Sequence, residues 1–179
     1  IYSVNKLSIN NYYFALFGVV LIGIAAAIGA VRFGILSTEF IVQLNKILAL
    51  YAGVLCLSLV ATQIVFNLNF KILGWIIFLL SLLSIASGFV WPKLLLIKLI
   101  YFWSILSIIL VLFIPEEGIS KRIIKSILMS ILLISFLTVS KRGLLTDSLG
   151  ADLSFHLYHT LIAIWVVSIN FVIKEKNNN

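Results

Sequence analysis

The chain has 179 residues, of which 63% are hydrophobic and only 11% are charged, and its formal net charge is +7. An average soluble domain is about 45–50% apolar and about 25% charged, so this chain has too little polar surface to cover a water-soluble globule. The composition excludes a soluble protein and predicts an integral membrane protein. The basic residues are scattered at the ends of apolar segments, as in membrane proteins, which argues against a nucleic-acid partner.

Apolar segments of membrane-spanning length recur along the chain. A helix needs about 20 mostly apolar residues to cross the hydrocarbon core of a bilayer. The predicted fold is therefore an all-α polytopic transmembrane bundle of about six antiparallel spans, in a single membrane domain over residues 1–179. In chain order the spans are expected at about 12–31, 45–66, 72–90, 94–114, 123–139 and 153–173.

The segments between the spans are rich in residues that end helices. Gly, Pro, Asn and charged residues gather at 32–39, 67–71, 91–93, 115–118 and 141–150. Only the last of these connections is longer than a short turn, and short turns force neighbouring spans to run antiparallel. An even number of spans places both termini on one side of the membrane. Lys121, Arg122 and Lys125, counted with the fourth loop, favour a cytoplasmic location for that side.

The last predicted span carries polar residues at a helical repeat. Asp152, His156, His159 and Asn170 follow one another at spacings of four, three and eleven, so they share one face of a helix. Ionisable side chains are costly in lipid, so this polar stripe is expected to face protein or a water-filled cavity. The sequence therefore predicts a polar pocket lined by Asp152, His156 and His159.

Other polar residues are expected on the same side of the predicted bundle. Glu39 and Gln43 are four residues apart at the start of the second helix, and both precede its apolar run. Arg32 ends the first span, and Asp147 lies in the connection before the last one. These four residues are the candidates for completing the pocket.

The stripe admits three chemical roles. Its side chains can form interhelical hydrogen bonds, which are worth about 0.6–2 kcal/mol each. His156, His159 and Asp152 can instead bind a divalent metal such as zinc, because imidazole and carboxylate groups are common zinc ligands. Histidine also titrates near neutrality and suits a proton relay. No other cofactor is expected, since the sequence has no phosphate-binding glycine loop.

The segment Phe155–His159 resembles the histidine pair on the last helix of membrane hydrolases of the alkaline ceramidase type. That family has a four-residue histidine spacing and a further histidine, whereas this chain has a three-residue spacing and two histidines in all. Because the spacing and the number of histidines differ, the chain is not assigned to that family. If the polar stripe is catalytic, the resemblance implies that its substrate is lipid-like.

The function expected from the sequence is that of a binding or accessory membrane protein. Its expected partners are the lipid bilayer and either other membrane subunits or further copies of the chain. Two alternatives stay open. One is an intramembrane enzyme, metal-assisted, that acts on a lipid-like substrate, and the other is a small transporter or proton-conducting protein.

Overall fold

The computed structural model describes residue 3 and residues 12–34, 38–90, 93–114, 118–138 and 144–173. Within these residues the chain is all-helical, which confirms the predicted fold class. The helices are α1 (Tyr13–Gly34), α2 (Glu39–Asn67), α3 (Lys71–Val90), α4 (Lys93–Val111), α5 (Ile119–Thr138), α6 (Thr146–Leu149) and α7 (Ala151–Ile173).

Each of the six predicted spans coincides with one long helix, and α6 is a short helix that the sequence did not predict. In the described part of the chain, four helices contain stretches long and apolar enough to cross a membrane, at Tyr13–Arg32, Glu39–Asn67, Lys71–Gly88 and Leu153–Ile173. The apolar stretch of α4, Leu95–Val111, is shorter. The first two turns of α5 hold the basic residues Lys121, Arg122 and Lys125. A spanning role for α4 and α5 therefore stays a prediction.

The centre of the bundle is α2, which packs against α1, α3 and α4. From Ala52 to Val65 every residue of α2 except Leu55 is buried. The helices α3 and α4 make few contacts with each other, because each packs on α2 instead. On the other side of α4, α5 packs against α4 and α7. Neighbours in sequence are thus not always neighbours in space.

Glycine permits a close approach between α1 and α2. A methyl group on Gly18 would lie 2.9 Å from the Cα of Cys56, which is closer than real contacts of this kind. Small residues at a helix interface let two backbones come together, and in a bilayer this packing is a main source of helix association. At Gly23, one and a half turns further along α1, no atom of the described residues lies within 4 Å of such a methyl group.

Three turns have the residues that their backbone requires. Asn69, in the turn between α2 and α3, has a φ of 62°, a left-handed conformation that asparagine tolerates better than most residues. Gly118 and Gly150 precede α5 and α7 with φ values of 101° and 80°. These positions confirm three of the turns predicted from the sequence.

The close contact of α1 with α2 gives a test of the packing. We expect Gly18→Ala to lower the stability of the folded protein by about 1–3 kcal/mol, because the added methyl group forces two packed backbones apart. Thermal unfolding in mild detergent measures the effect. Gly23→Ala is the matched control and is expected to leave the unfolding temperature unchanged or raised. An equal loss in both variants would show that the two helices do not meet at Gly18.

Candidate functional site

The last helix, α7, has a well-defined inward face. Ser154, Trp165, Ile169 and Val172 are all buried, and they recur at helical spacings along one side of α7. This face packs mainly on α5 and, to a smaller extent, on α2. Trp165, with no exposed surface, is among the largest fully buried side chains of the protein. The inward face of α7 is therefore set by this apolar row.

The two histidines lie on the opposite side of α7. At 100° per residue, His156 and His159 point about 180° and 120° away from the mean direction of the inward face. Both side chains are exposed. The expectation that the imidazoles turn toward the interior of the bundle is therefore wrong, because burial of Trp165 and Ile169 rotates the polar stripe outward. The assignment of these residues to a functional site stays a prediction.

His159 is held in a defined orientation by its own helix. Its Nδ1 lies 2.8 Å from the carbonyl oxygen of Phe155. A carbonyl oxygen can only accept a hydrogen bond, so Nδ1 donates, and Nε2 of the neutral ring is left as an acceptor. The rings of Phe155 and His159 also lie against each other, with centroids 4.1 Å apart. The imidazole thus presents a lone pair at Nε2 on an exposed helix face.

Ring contacts connect this face to two other helices. Tyr158 meets the ring of His159 edge-on at 5.3 Å between centroids. Its other neighbour is Phe136 of α5, at 5.5 Å. Phe136 in turn contacts Tyr101 of α4, at 6.3 Å. This row of aromatic rings fixes the histidine-bearing half of α7 against the rest of the bundle.

Glu39, Gln43 and Asp147, which were predicted to complete the pocket, lie on helices other than α7. Glu39 and Gln43 are exposed on the first turns of α2, and Asp147 is exposed on α6. The side chain of Asp152 lies outside the described part of the structure. The described residues contain no group of three or more His, Cys, Asp or Glu side chains arranged to hold a metal ion.

Arg32 takes part in a different contact. Its Nη1 donates a hydrogen bond of 3.1 Å to Oδ1 of Asn45 on α2. Asn45 in turn donates from Nδ2 to the carbonyl oxygen of Ala25, at 3.3 Å. Arg32 thus joins α1 to α2 near their connecting turn, and this contact gives it a structural role.

A second set of polar side chains, which the sequence analysis did not single out, connects three helix ends. Gln63 is buried on α2, and its Oε1 accepts a 3.2 Å hydrogen bond from the backbone N–H of Phe14 at the start of α1. Its Nε2 donates to Oδ1 of Asn67 at 3.0 Å. Asn67 donates from Nδ2 to the carbonyl oxygen of Ile173, the last residue of α7, at 3.0 Å.

These bonds satisfy backbone groups that a helix leaves unpaired at its ends. The first N–H groups and the last carbonyl groups of a helix have no partner within it. Gln63 and Asn67 supply partners from the central helix for the start of α1 and the end of α7. The sequence does indicate this pair, because Gln63 and Asn67 are four residues apart at the end of an apolar span and therefore share one helix face.

Lys125 was expected in a basic loop cluster, but the structure buries it. Only 3% of its surface is exposed, and its Nζ lies 5.8 Å from the ring centroid of Phe171. Phe171 is in the last turn of α7, where the carbonyl groups carry partial negative charge. Lys125 therefore contributes to the attachment of α7 to α5.

No protein family, curated protein or solved structure matches the chain.

The amide connection between the helix ends can be tested by substitution. We expect Asn67→Leu to lower the stability in detergent by about 0.6–1.7 kcal/mol, because the carbonyl group of Ile173 loses its donor and Gln63 its acceptor. Gln43→Leu replaces an exposed amide on the same helix and serves as control. Chemical unfolding followed by circular dichroism measures both variants. A stability equal to wild type in Asn67→Leu would exclude a stabilising role for the connection.

Proposed function

We propose that the chain is a multi-pass integral membrane protein that acts as a binding or accessory subunit, with the outward face of α7 covered by a transmembrane helix of a partner subunit. Four helices long and apolar enough to cross a bilayer support the membrane location. The observation that carries the partner proposal is the exposure of His156 and His159 within one of these helices.

His159 lies inside the candidate span of α7, some distance from its first residue. It lies six residues, or about 9 Å, along the helix from Leu153, where the candidate span begins. Hydrocarbon supplies no hydrogen-bond donor, and an ionisable group inside a membrane ordinarily faces protein or water. Since His159 faces away from its own bundle, a second helix is the natural source of a polar partner at this depth.

The chemistry of the exposed face specifies what that helix provides. His159 presents Nε2 as an acceptor, because its Nδ1 is already committed to the carbonyl oxygen of Phe155. The partner therefore supplies an N–H or O–H donor. One turn further along α7, the exposed residue is Ala163, whose small side chain allows close approach of a second backbone.

Photo-cross-linking in native membranes tests the partner proposal. A photo-reactive phenylalanine derivative replaces Ala163, which lies on the histidine face, or Ile164, which is exposed about 100° away on the same helix. We expect a single product of defined mass from position 163 and little from position 164. A product of twice the chain mass identifies a second copy, and any other mass identifies a different subunit.

The cross-link must also depend on the imidazole. Adding His159→Leu is expected to lower the yield at position 163 by about three- to tenfold, which corresponds to the loss of one interhelical hydrogen bond. Equal yields at the two positions, or a yield at position 163 that is insensitive to His159→Leu, would contradict the proposal.

The orientation of His159 also favours a second candidate function, that of a metal-assisted intramembrane enzyme. Metal-binding histidines usually donate their other ring N–H to a carbonyl or carboxylate group, which is the arrangement of His159 with Phe155. His156 lies three residues before it and is also exposed. A third ligand would come from Asp152 or from a partner chain.

The metal-assisted function leads to a separate prediction about metal content. Folded protein purified without chelators should contain close to one zinc or similar ion per site, and His159→Ala should remove it, because a single remaining imidazole binds such ions weakly. Elemental analysis by mass spectrometry measures the metal content. Thr160→Ala, a change at the adjacent exposed residue, should leave the content unchanged. Folded wild-type protein without metal would eliminate this candidate.

A further inference from the structure

An apolar groove runs between α1 and α3, with α2 beneath it. Its volume is about 570 Å³, which is within the range of about 300–1,000 Å³ found for small-molecule sites. Leu55 and Leu59 of α2 line its floor, and Phe17 of α1 and Leu82 of α3 are among the residues of its walls. Leu59 is 3% exposed, whereas Phe17 is 57% exposed, so the groove opens outward from the bundle.

One end of the groove is built from aromatic rings. Phe14 and Phe78, which line the groove, contact each other edge-on at 5.4 Å between centroids. Trp75 packs against both of them, at 6.3 Å and 5.8 Å. Phe14 is in the first turn of α1, and Trp75 is one turn from the start of α3. The rings therefore mark the end of the groove nearest the start of both helices.

A lysine, Lys71, precedes these aromatic residues on the same face of α3. Lys71, Trp75, Phe78 and Leu82 follow one another on α3 at spacings of four, three and four, so they share one helix face. Lys71 is exposed and is the first residue of the candidate span Lys71–Gly88. This position places its ammonium group at the level of lipid head groups, about 10 Å along the helix from Phe78.

The positive charge around Lys71 favours the binding of an anion. The first N–H groups of a helix carry partial positive charge, which usually favours an acidic residue in the first turn. The first turn of α3 has no acidic residue and begins with a lysine instead. A phosphate group at this position would interact favourably with both the ammonium and the helix end.

A second apolar depression borders the same lysine. It has a volume of about 490 Å³ and is lined by Lys71, Ile72, Leu73 and Ile76, together with residues of the preceding turn. Lys71 therefore lines the second depression, and it shares a face of α3 with Phe78 and Leu82 of the groove. The groove, the second depression and Lys71 together provide two apolar surfaces and one cation, which matches a lipid with two acyl chains and one phosphate.

We propose that the groove between α1 and α3, together with Lys71, binds an anionic glycerophospholipid. One acyl chain lies along Leu55, Leu59 and Phe78, and the phosphate group lies beside the ammonium of Lys71. This inference rests on the membrane location given in the proposed function, but it does not depend on a partner at α7.

Lipid retention by the full chain tests the site. The protein is reconstituted in vesicles with equal amounts of phosphatidylglycerol and phosphatidylcholine of identical acyl chains, extracted in mild detergent, and examined by native mass spectrometry. We expect wild type to retain phosphatidylglycerol preferentially, and Lys71→Gln to lower this preference about fivefold, the effect of one lysine near a membrane surface. Lys121→Gln makes the same charge change on an exposed lysine at the start of α5 and should leave the preference unaltered.

A second variant tests the acyl-chain part of the site. Val20→Phe places a larger side chain in the groove wall and should lower retention of both lipids. An unchanged preference in Lys71→Gln, or an equal loss in Lys121→Gln, would overturn the proposal. So would a dimer that cross-links through Phe17→Cys and retains no lipid, because a second copy would then fill the groove.

The outcomes also separate this site from the proposed function. Release of wild-type protein from vesicles at alkaline pH would remove the membrane location and both proposals with it. Loss of the cross-link at position 163 with a retained lipid preference would remove only the partner at α7. A lost preference with a retained cross-link would remove only the lipid site.

Discussion

The architecture depends on the enclosure of α2 by other helices. Between Ala52 and Val65 this helix is buried on nearly all sides, and α1, α3 and α4 take their positions from it. In a bilayer the exclusion of water does not drive helices together, so close packing and hydrogen bonds must hold such a bundle. The contact of Gly18 with the backbone at Cys56 and the bonds of Gln63 and Asn67 are of these two kinds.

The outward position of the histidines follows from the same packing. The end of α7 is bonded to Asn67, and its apolar row from Trp165 to Val172 is buried against the bundle. Because a helix face used for packing fixes the direction of every other residue, His156 and His159 are turned to the outer surface. Inward histidines would require exposure of Trp165, the largest buried side chain of α7.

The sequence predicts the helices well because apolar length and turn residues are local properties. It predicts the direction of α7 wrongly, since the helix is apolar on most sides and the polar stripe was the only marker of a face. The central position of α2 was also missed, although Gly53, Ser58 and Ala61 place small residues on several of its faces. Which helix is enclosed depends on contacts between distant segments, and hydropathy does not encode them.

A comparison of α2 with α7 indicates where the chain keeps unused hydrogen-bonding capacity. The polar side chains Gln63 and Asn67 of α2 pair with helix ends inside the bundle. Among the described residues, five buried polar side-chain atoms have no hydrogen-bond partner, and three of them belong to α7: Ser154 Oγ, Trp165 Nε1 and Asn170 Oδ1. The exposed Nε2 of His159 adds a further acceptor on the same helix. Ser154 and Trp165 face the inside of the bundle, so their unpaired atoms are enclosed by the chain itself. The Nε2 of His159 lies on the outer surface instead, and this acceptor is the one that a helix of a second subunit can reach.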